Sequence, residues 1–433
     1  MTEGNARISA GDGGRIDKPV TEAAKQPSLA MNQVLTFMVS LKGSDLHLSA
    51  DAVPRIRVHG DMMPLSMPPL DSGIAKKMIY SILSEEQQKK LEDDKDLDSS
   101  YEIPGVSRFR VNVCYQRGRL RATVRTIPAE IKSFQDLKME APVFEKICRI
   151  PKGMILVTGA TGSGKSTTLA AMIDFVNRSR KSHIVTIEDP IEFVHQDKNC
   201  MVTQREIGAD TRTFASALKH VLRQDPDIVL IGEMRDQETV QVGLELAETG
   251  HLTFATLHTA DAIQTINRII DIFPPEQQPQ IRTQLGFVLE AVVCQQLLKT
   301  RDGKGRVVAQ EILIANQSVR ANIRSDKIHQ IYSTIQTSNQ TGMKTMNQSL
   351  FELTEKGLID PETALKNSSR AEELEKMLRE LSDFDTMEIE TGPDKDQGQG
   401  AKPNAEDRKK GTEKHPQPVS GANGGAKAPS PKW

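Results

Sequence analysis

Residues Gly159-Ala160-Thr161-Gly162-Ser163-Gly164-Lys165-Ser166 satisfy the G-x-x-x-x-G-K-[ST] spacing of a phosphate-binding loop. Glycine-spaced backbone of this kind turns successive N–H groups toward one point, and the helix that follows adds the positive end of its dipole. The chemistry this predicts is nucleoside triphosphate binding. Lys165 reaches the β- and γ-phosphates, the Ser166 hydroxyl ligates Mg²⁺, and Thr167 is placed to contact the α-phosphate. In Glu188-Asp189-Pro190-Ile191-Glu192, Glu188 is the first candidate for the base that deprotonates an attacking water, while Glu192 suits a solvated turn better. A second apolar run, Asp227 to Ile231, ends in Gly232-Glu233. An ordinary strand of this type carries an Asp where Gly232 stands, so Glu233 is left either to bind Mg²⁺ through water or to share base duty with Glu188. His251 and His258 flank the run LTFATL and are expected to face one edge, sensing the γ-phosphate or touching another subunit. Arg108, Arg110, Arg117, Arg119, Arg121 and Arg125 crowd one hairpin. A phosphate site whose other strong cation is Lys165 gains from an arginine supplied by another domain or subunit.

These groups need strands to carry them. GMILVTG, HIVTIED, DIVLIGE, LTFATLH and VVAQEILI are continuous apolar runs separated by helical stretches, the pattern of a parallel α/β sheet buried on both faces. In such a sheet the carboxyl ends of the strands face the nucleotide. Residues 143–342 are assigned to this core. Residues 31–127 form a smaller α/β domain: an amphipathic helix in MNQVLTFMVSLK, alternating strands in SDLHLS, RIRVHGDMMPL, RFRVNVCYQ and LRATVRTIP, and a helix from about Ser72 to Leu91. Residues 128–142 are the connector and 343–381 a helical bundle. Residues 1–30 and 382–433 mix Gly, Pro and both charge signs without apolar periodicity and are expected to be disordered. The single Trp, Trp433, ends the second of these tails.

Composition excludes several classes. The chain has 433 residues, enough for two or three domains. Its 56 Lys and Arg nearly balance 58 Asp and Glu, for a net charge of −2, so no overall basic field recruits nucleic acid. No run approaches the roughly 20 apolar residues of a membrane-spanning helix. The N-terminus lacks the apolar stretch of a secretory signal, so a cytosolic protein is expected. Cys114, Cys148, Cys200 and Cys294 are scattered singly, without the close pairs that bind zinc, and suit reduced, buried thiols.

Four boxes, GATGSGKST, TIEDPIEF, QDPDIVLIGEMRDQET and ETGHLTFATLHT, in this order and spacing, resemble the secretion ATPases, and among them the type IV pilus twitching-motility retraction family. SDLHLS, RIRVHGD, RFRVN, VRTIP, TINRIIDIFP and GMKTMNQSLFELTEKGLI extend the resemblance from Val34 to Leu381. It implies a PAS-like N-terminal domain joined to a RecA-like ATPase core with a C-terminal helical bundle. It further implies a homo-hexameric ring that hydrolyses ATP with Mg²⁺ at the cytoplasmic face of the inner membrane, and drives pilin disassembly through an inner-membrane platform protein. Under the resemblance, Glu188 is the acidic-box glutamate, Glu233 the Walker B glutamate, His258 and His251 belong to the histidine box, and Arg110 and Arg125 are the arginines that reach nucleotide between domains. The family's extension-type tetracysteine is absent, and its A-I-R-N-L-I-R motif stands here as Ser318-Val-Arg320-Ala-Asn-Ile-Arg324. Rival readings are an accessory retraction ATPase working beside a paralogous primary motor, a DNA-translocating RecA-like motor, and a nucleotide-binding subunit without turnover.

Overall fold

The computed structural model describes residues 27–58, 60–127 and 130–390, so the expectations for residues 1–26 and 391–433, Trp433 included, lie outside the described residues. The first helix, α1 (Pro27–Ser40), starts inside the stretch 1–30 that was expected to lack structure. Ala30, Met31, Val34, Leu35 and Met38 fall at helical spacing and are all buried, an apolar stripe sufficient to dock the helix. Strands β1 (Asp45–Ser49), β2 (Arg55–Val58) and β3 (Asp61–Pro64) follow. The single helix expected from Ser72 to Leu91 is two, α2 (Ser72–Tyr80) and α3 (Glu85–Asp94). Ser84 and Gln87 form a capping box that starts a new helix there. With β4 (Asp96–Ile103), β5 (Ser107–Gln116) and β6 (Arg119–Ile127), these strands make a six-stranded antiparallel sheet in the order β3-β2-β1-β6-β5-β4. On β5 the buried Phe109, Val111 and Val113 alternate with Arg108, Arg110 and Asn112, which puts the arginines on the face away from α1 and α2.

The chain then builds a second, seven-stranded sheet. Helix α4 (Ala141–Cys148) precedes β7 (Gly153–Thr158), α5 (Lys165–Ser179), β8 (His183–Glu188), β9 (Met201–Glu206), α6 (Phe214–Val221), β10 (Ile228–Ile231), α7 (Gln237–Glu248) and β11 (Leu252–Leu257). Helices α8 (Ala262–Asp271) and α9 (Gln278–Val288) lead to β12 (Leu289–Lys299) and β13 (Arg306–Ile314). The strand order is β13-β12-β7-β11-β10-β8-β9. Every residue of β7, β10 and β11 is buried, as strands covered by helices on both faces require. The expectation of a wholly parallel sheet is corrected at one edge, where β13, the run VVAQEILI, pairs antiparallel with β12. Only the short turn 300–305 joins them, and a parallel pairing would need a crossover of a dozen or more residues.

The segment after β6 is more than a connector. Phe134 and Met139 are buried against Phe144, Met172 and Val176 of the second sheet's helical layer, which ties the described part of that segment to the core. The C-terminal helices begin at α10 (Gln317–Arg324), earlier than the expected 343, and continue through α11 (Ile331–Thr337), α12 (Met346–Glu355) and α13 (Pro361–Asn367). The last, α14 (Ala371–Glu390), runs past the tail boundary expected at 382. Its first turn carries Glu372 and Glu373, which favour a helix N-terminus, and Leu374 anchors it in the small core of Leu350, Leu353 and Ala364. No helix of the described residues is long and apolar enough to cross a membrane.

Candidate active site

One edge of the larger sheet gathers the chemistry. Strands β7, β8, β9, β10 and β11 run parallel, so their carboxyl ends lie together. Across that edge stand Glu206 and Glu188, closing β9 and β8, then Glu233 just beyond β10, His258 just beyond β11, and the loop 159–164 beyond β7. Ligands in open α/β sheets bind at this edge.

The phosphate loop is shaped by a close contact at Gly159 and by left-handed backbone at Gly162 and Gly164. A Cβ on Gly159 would lie 2.3 Å from the Gln295 carbonyl oxygen and 2.6 Å from Ser163 Oγ, and the backbone there has φ +141°. Gly162 and Gly164, with φ of 80° and 90°, take the left-handed conformations that turn the loop toward α5. Because α5 begins at Lys165, its first N–H groups have no carbonyl partner within the helix and are available to an anion. Ser163 Oγ is buried without a hydrogen-bond partner among the described residues, an orphaned polar atom inside the cradle. Lys165 Nζ donates to the carbonyls of Gly159 (2.7 Å) and Ala160 (3.2 Å), folded back onto its own loop. Burial pulls its pKa below the usual lysine value, against the opposing carboxylates of Glu233 and Glu192. Behind the loop, the buried Gln295 of β12 donates to the Ser163 carbonyl at 2.8 Å and accepts from Thr168 Oγ1 at 2.9 Å. Sequence reasoning missed Gln295 because β12 carried no strand expectation.

Glu188 accepts at Oε1 from Thr186 Oγ1 (2.7 Å) and from Gln204 Nε2 (3.1 Å). Burial pushes its carboxyl above the usual range, and these hydrogen bonds work against that shift. Glu233 is gripped from both sides, by Arg235 Nη2 at 2.6 Å and His258 Nε2 at 3.2 Å. Burial would raise its pKa, but the hydrogen bond from Arg235 and the charges of His258 and Arg235 carry it below the usual carboxylate value. Gly232 lies at a close approach between the ends of β10 and β8. A Cβ there would sit 3.1 Å from the Ile187 carbonyl oxygen and 3.2 Å from Glu188 Cα, so an Asp in place of this glycine would press on the backbone that carries Glu188. Among the described residues no cluster of three or more His, Cys, Asp or Glu side chains forms a metal cage. A phosphate-bound Mg²⁺ needs no such cage, since it keeps waters and takes one or two protein oxygens, which the Ser166 hydroxyl and the charged Glu233 carboxylate could supply.

Other sequence candidates fall elsewhere. His251 and His258 do not share an edge: six strand residues separate them, and His251 sits at the opposite end of β11. There His251 Nδ1 lies 3.0 Å from the Leu246 carbonyl, and its own carbonyl accepts from Gly153 N. Arg125 Nε donates to Asp45 Oδ1 at 2.7 Å inside the N-terminal sheet. Arg110, its cross-strand neighbour, has no side-chain hydrogen bond among the described residues. The arginine that bridges to the core is Arg108, which meets the buried Glu206 at 2.7 Å. Beside the loop opens a cavity of about 430 Å³ lined by Leu137, Met139, Gly164, Thr167, Phe193 and Arg306, among others. Its mix of apolar walls and loop backbone suits a nucleobase adjoining the phosphates.

The chain is similar to known proteins over most of its length. A family model described as type II/IV secretion system protein matches residues 22–366. The chain is 48% identical over 334 residues to the type IV pilus retraction ATPase PilT of Pseudomonas aeruginosa, covering 77% of this chain and 96% of that protein. It is 37% identical over 357 residues to the type IV pilus ATPase PilU of the same organism, covering 82% and 93%. Among solved structures, the pilus retraction motor PilT with bound ADP superposes with a TM-score of 0.75 at 47% identity, covering 79% of this chain and 98% of that one.

Proposed function

Because this chain belongs to the type II/IV secretion system protein family, we propose that it is an ATP-hydrolysing motor of type IV pilus retraction. In this reading it works as a homo-hexameric ring on the cytoplasmic face of the inner membrane, pulling pilin from the filament through the platform protein. The observation that carries the reading is the shared strand edge, where the phosphate loop, Glu188, Glu233 and His258 meet. An accessory role beside a paralogous motor is the second reading, and the higher identity to PilT than to PilU weighs against it.

The residues divide the chemistry among them. The N–H groups of residues 159–167 and the start of α5 bind the phosphates, with Thr167 nearest the α-phosphate. Lys165 exchanges its loop carbonyls for the β- and γ-phosphate oxygens, a move that costs little because its present partners are neutral. Glu188 orients the attacking water and takes its proton; the raised carboxyl makes it a better acceptor than an ordinary solvated glutamate. Ser166 and Glu233 would hold Mg²⁺, which when bound neutralises charge on the transferring phosphoryl group. His258, bonded to Glu233, reports on the γ-phosphate side, and Arg110, together with Arg125 once it leaves Asp45, would reach the nucleotide from the N-terminal sheet of another subunit.

The test is ATP turnover measured across a size-exclusion profile of wild type and Glu188→Gln. Turnover should track the hexameric fraction and fall by about 100-fold or more in the variant. Equal turnover in the two proteins would remove Glu188 from the role of base.

A further inference from the structure

The acidic loop between β8 and β9 is laced to β9 by two of that strand's own side chains. Gln204 and Glu206 stand two residues apart and so project from one face. Gln204 accepts from His195 N (2.7 Å), donates to the Phe193 carbonyl (2.9 Å), and donates to Glu188 Oε1 (3.1 Å). Glu206 is the register partner of Glu188, is 3% exposed, and accepts from Ile191 N at 3.1 Å. Its other donors come from the N-terminal sheet: Arg108 Nη2 at 2.7 Å and Ser100 Oγ at 2.7 Å, with Arg108 also donating to Ser100 Oγ at 2.9 Å.

Stability alone is a poor reason for this arrangement, because the desolvation of a buried ion pair largely offsets its attraction. Its position gives a better one. Glu206 joins the N-terminal sheet to the very backbone that carries Glu188. Withdrawing Arg108 and Ser100 leaves a buried carboxylate with too few donors, and the loop holding Ile191 and Glu188 must shift to solvate it.

We propose that Arg108 and Ser100 act through Glu206 as positioning residues for Glu188, so that the placement of the N-terminal sheet sets whether the base is aligned. The proposal rests on the reading of Glu188 as the base.

The test uses the full chain and separates kcat for ATP from the affinity for ADP. A displacement near 1 Å at a catalytic group costs up to about 100-fold, so Arg108→Met and Glu206→Gln should each lower kcat by about 10- to 100-fold. ADP affinity should stay within about twofold, since neither residue touches the loop. Arg108→Lys should recover part of the rate by restoring a charged donor. Ser100→Ala, which leaves Arg108 paired with Glu206, should lower kcat by about two- to tenfold. Arg108→Met combined with Gln204→Leu should lose little more than the worse single variant, because both act on one carboxylate. Unchanged kcat in Arg108→Met, ADP affinity falling in step with kcat, or fully multiplicative losses in the double variant would each overturn the proposal. Glu188→Gln tells the two failures apart. If it still turns over, the base assignment fails; if it is dead while Arg108→Met is normal, that assignment stands and the positioning role alone falls.

Discussion

Replacing Gln295 with Leu should loosen the phosphate loop from behind without touching the nucleotide's charges. The side chain is 1% exposed and makes two buried hydrogen bonds, to the Ser163 carbonyl and from Thr168 Oγ1. Leucine nearly matches its volume, so the loss is polar: two buried groups stranded at about 1–3 kcal/mol each, or about 2–6 kcal/mol together. That is a large fraction of the roughly 5–15 kcal/mol that holds a typical domain folded. Because the stranded groups flank Gly164, the loop should also bind ADP less well. Wild type at an ADP concentration of 100 times its Kd gains about 2.7 kcal/mol of stability, and a tenfold weaker variant at the same concentration gains about 1.4 kcal/mol. Thermal or chemical denaturation with and without ADP reads both numbers. Gln295→Glu, which keeps the acceptor for Thr168 but brings a carboxylate toward the phosphates, should bind ADP worse than Gln295→Leu. The reasoning is refuted if Gln295→Leu lies within about 0.5 kcal/mol of wild type and keeps the full ADP increment.

Lys165→Ala should abolish ATP turnover and most of the ADP-dependent stabilisation by removing the cation opposite the β- and γ-phosphates; normal turnover would move the site elsewhere. Arg110→Ala should lower kcat by at least about tenfold while sparing ADP affinity, if Arg110 acts on nucleotide across domains or subunits, and equal rates would make it a solvated surface arginine. Glu311, buried in β13, accepts from Ala262 N at 2.8 Å, and burial, aided by the charge of Asp261, pushes its carboxyl up to about 7. The folded state therefore holds that proton more tightly than the unfolded state, whose value is near 4.5, so this group's contribution to stability falls as pH rises from about 4.5 to 7. Glu311→Gln keeps the acceptor and removes the titration. Melting curves from pH 5 to 8 should slope less steeply than in wild type, and identical slopes would show that Glu311 is not the group responsible.

What the sequence made legible is whatever one segment can specify alone. The phosphate loop needs a strand, a glycine turn and a helix in succession, and all three lie between Gly153 and Ser179. Alternation along β5 is equally local, and it put the arginines on one face. What stayed hidden depends on pairing. Whether Arg108, Arg110 or Arg125 reaches the core turns on where the N-terminal sheet docks, and no spacing within RFRVNVCYQ records that. The β9 side chains that meet Glu188 and the loop after it, Gln204 and Glu206, are ordinary polar residues until β8 and β9 pair in register. The histidines mislead for the opposite reason: ETGHLTFATLHT places them symmetrically about a strand, and a strand has two ends.

Gly232 joins the two kinds of information. From sequence it is a missing aspartate; in the structure it is the contact that lets β10 lie against the carboxyl end of β8. If the aspartate were merely missing, Gly232→Asp should strengthen Mg²⁺ binding and raise turnover. With a Cβ held 3.1 Å from the Ile187 carbonyl oxygen and 3.2 Å from Glu188 Cα, something must give by a few tenths of an ångström, and the backbone that gives is the one bearing the base. Gly232→Asp should therefore lower kcat by about 3- to 10-fold, and Gly232→Ala, which adds the Cβ without the charge, should reproduce most of that loss. If Gly232→Ala is neutral and Gly232→Asp is faster than wild type, the glycine serves no packing purpose and Glu233 is a substitute for a lost metal ligand. If both are slow, close approach at Gly232 is a requirement of the site, and Glu233, one residue further on, is where a carboxylate can stand without displacing Glu188.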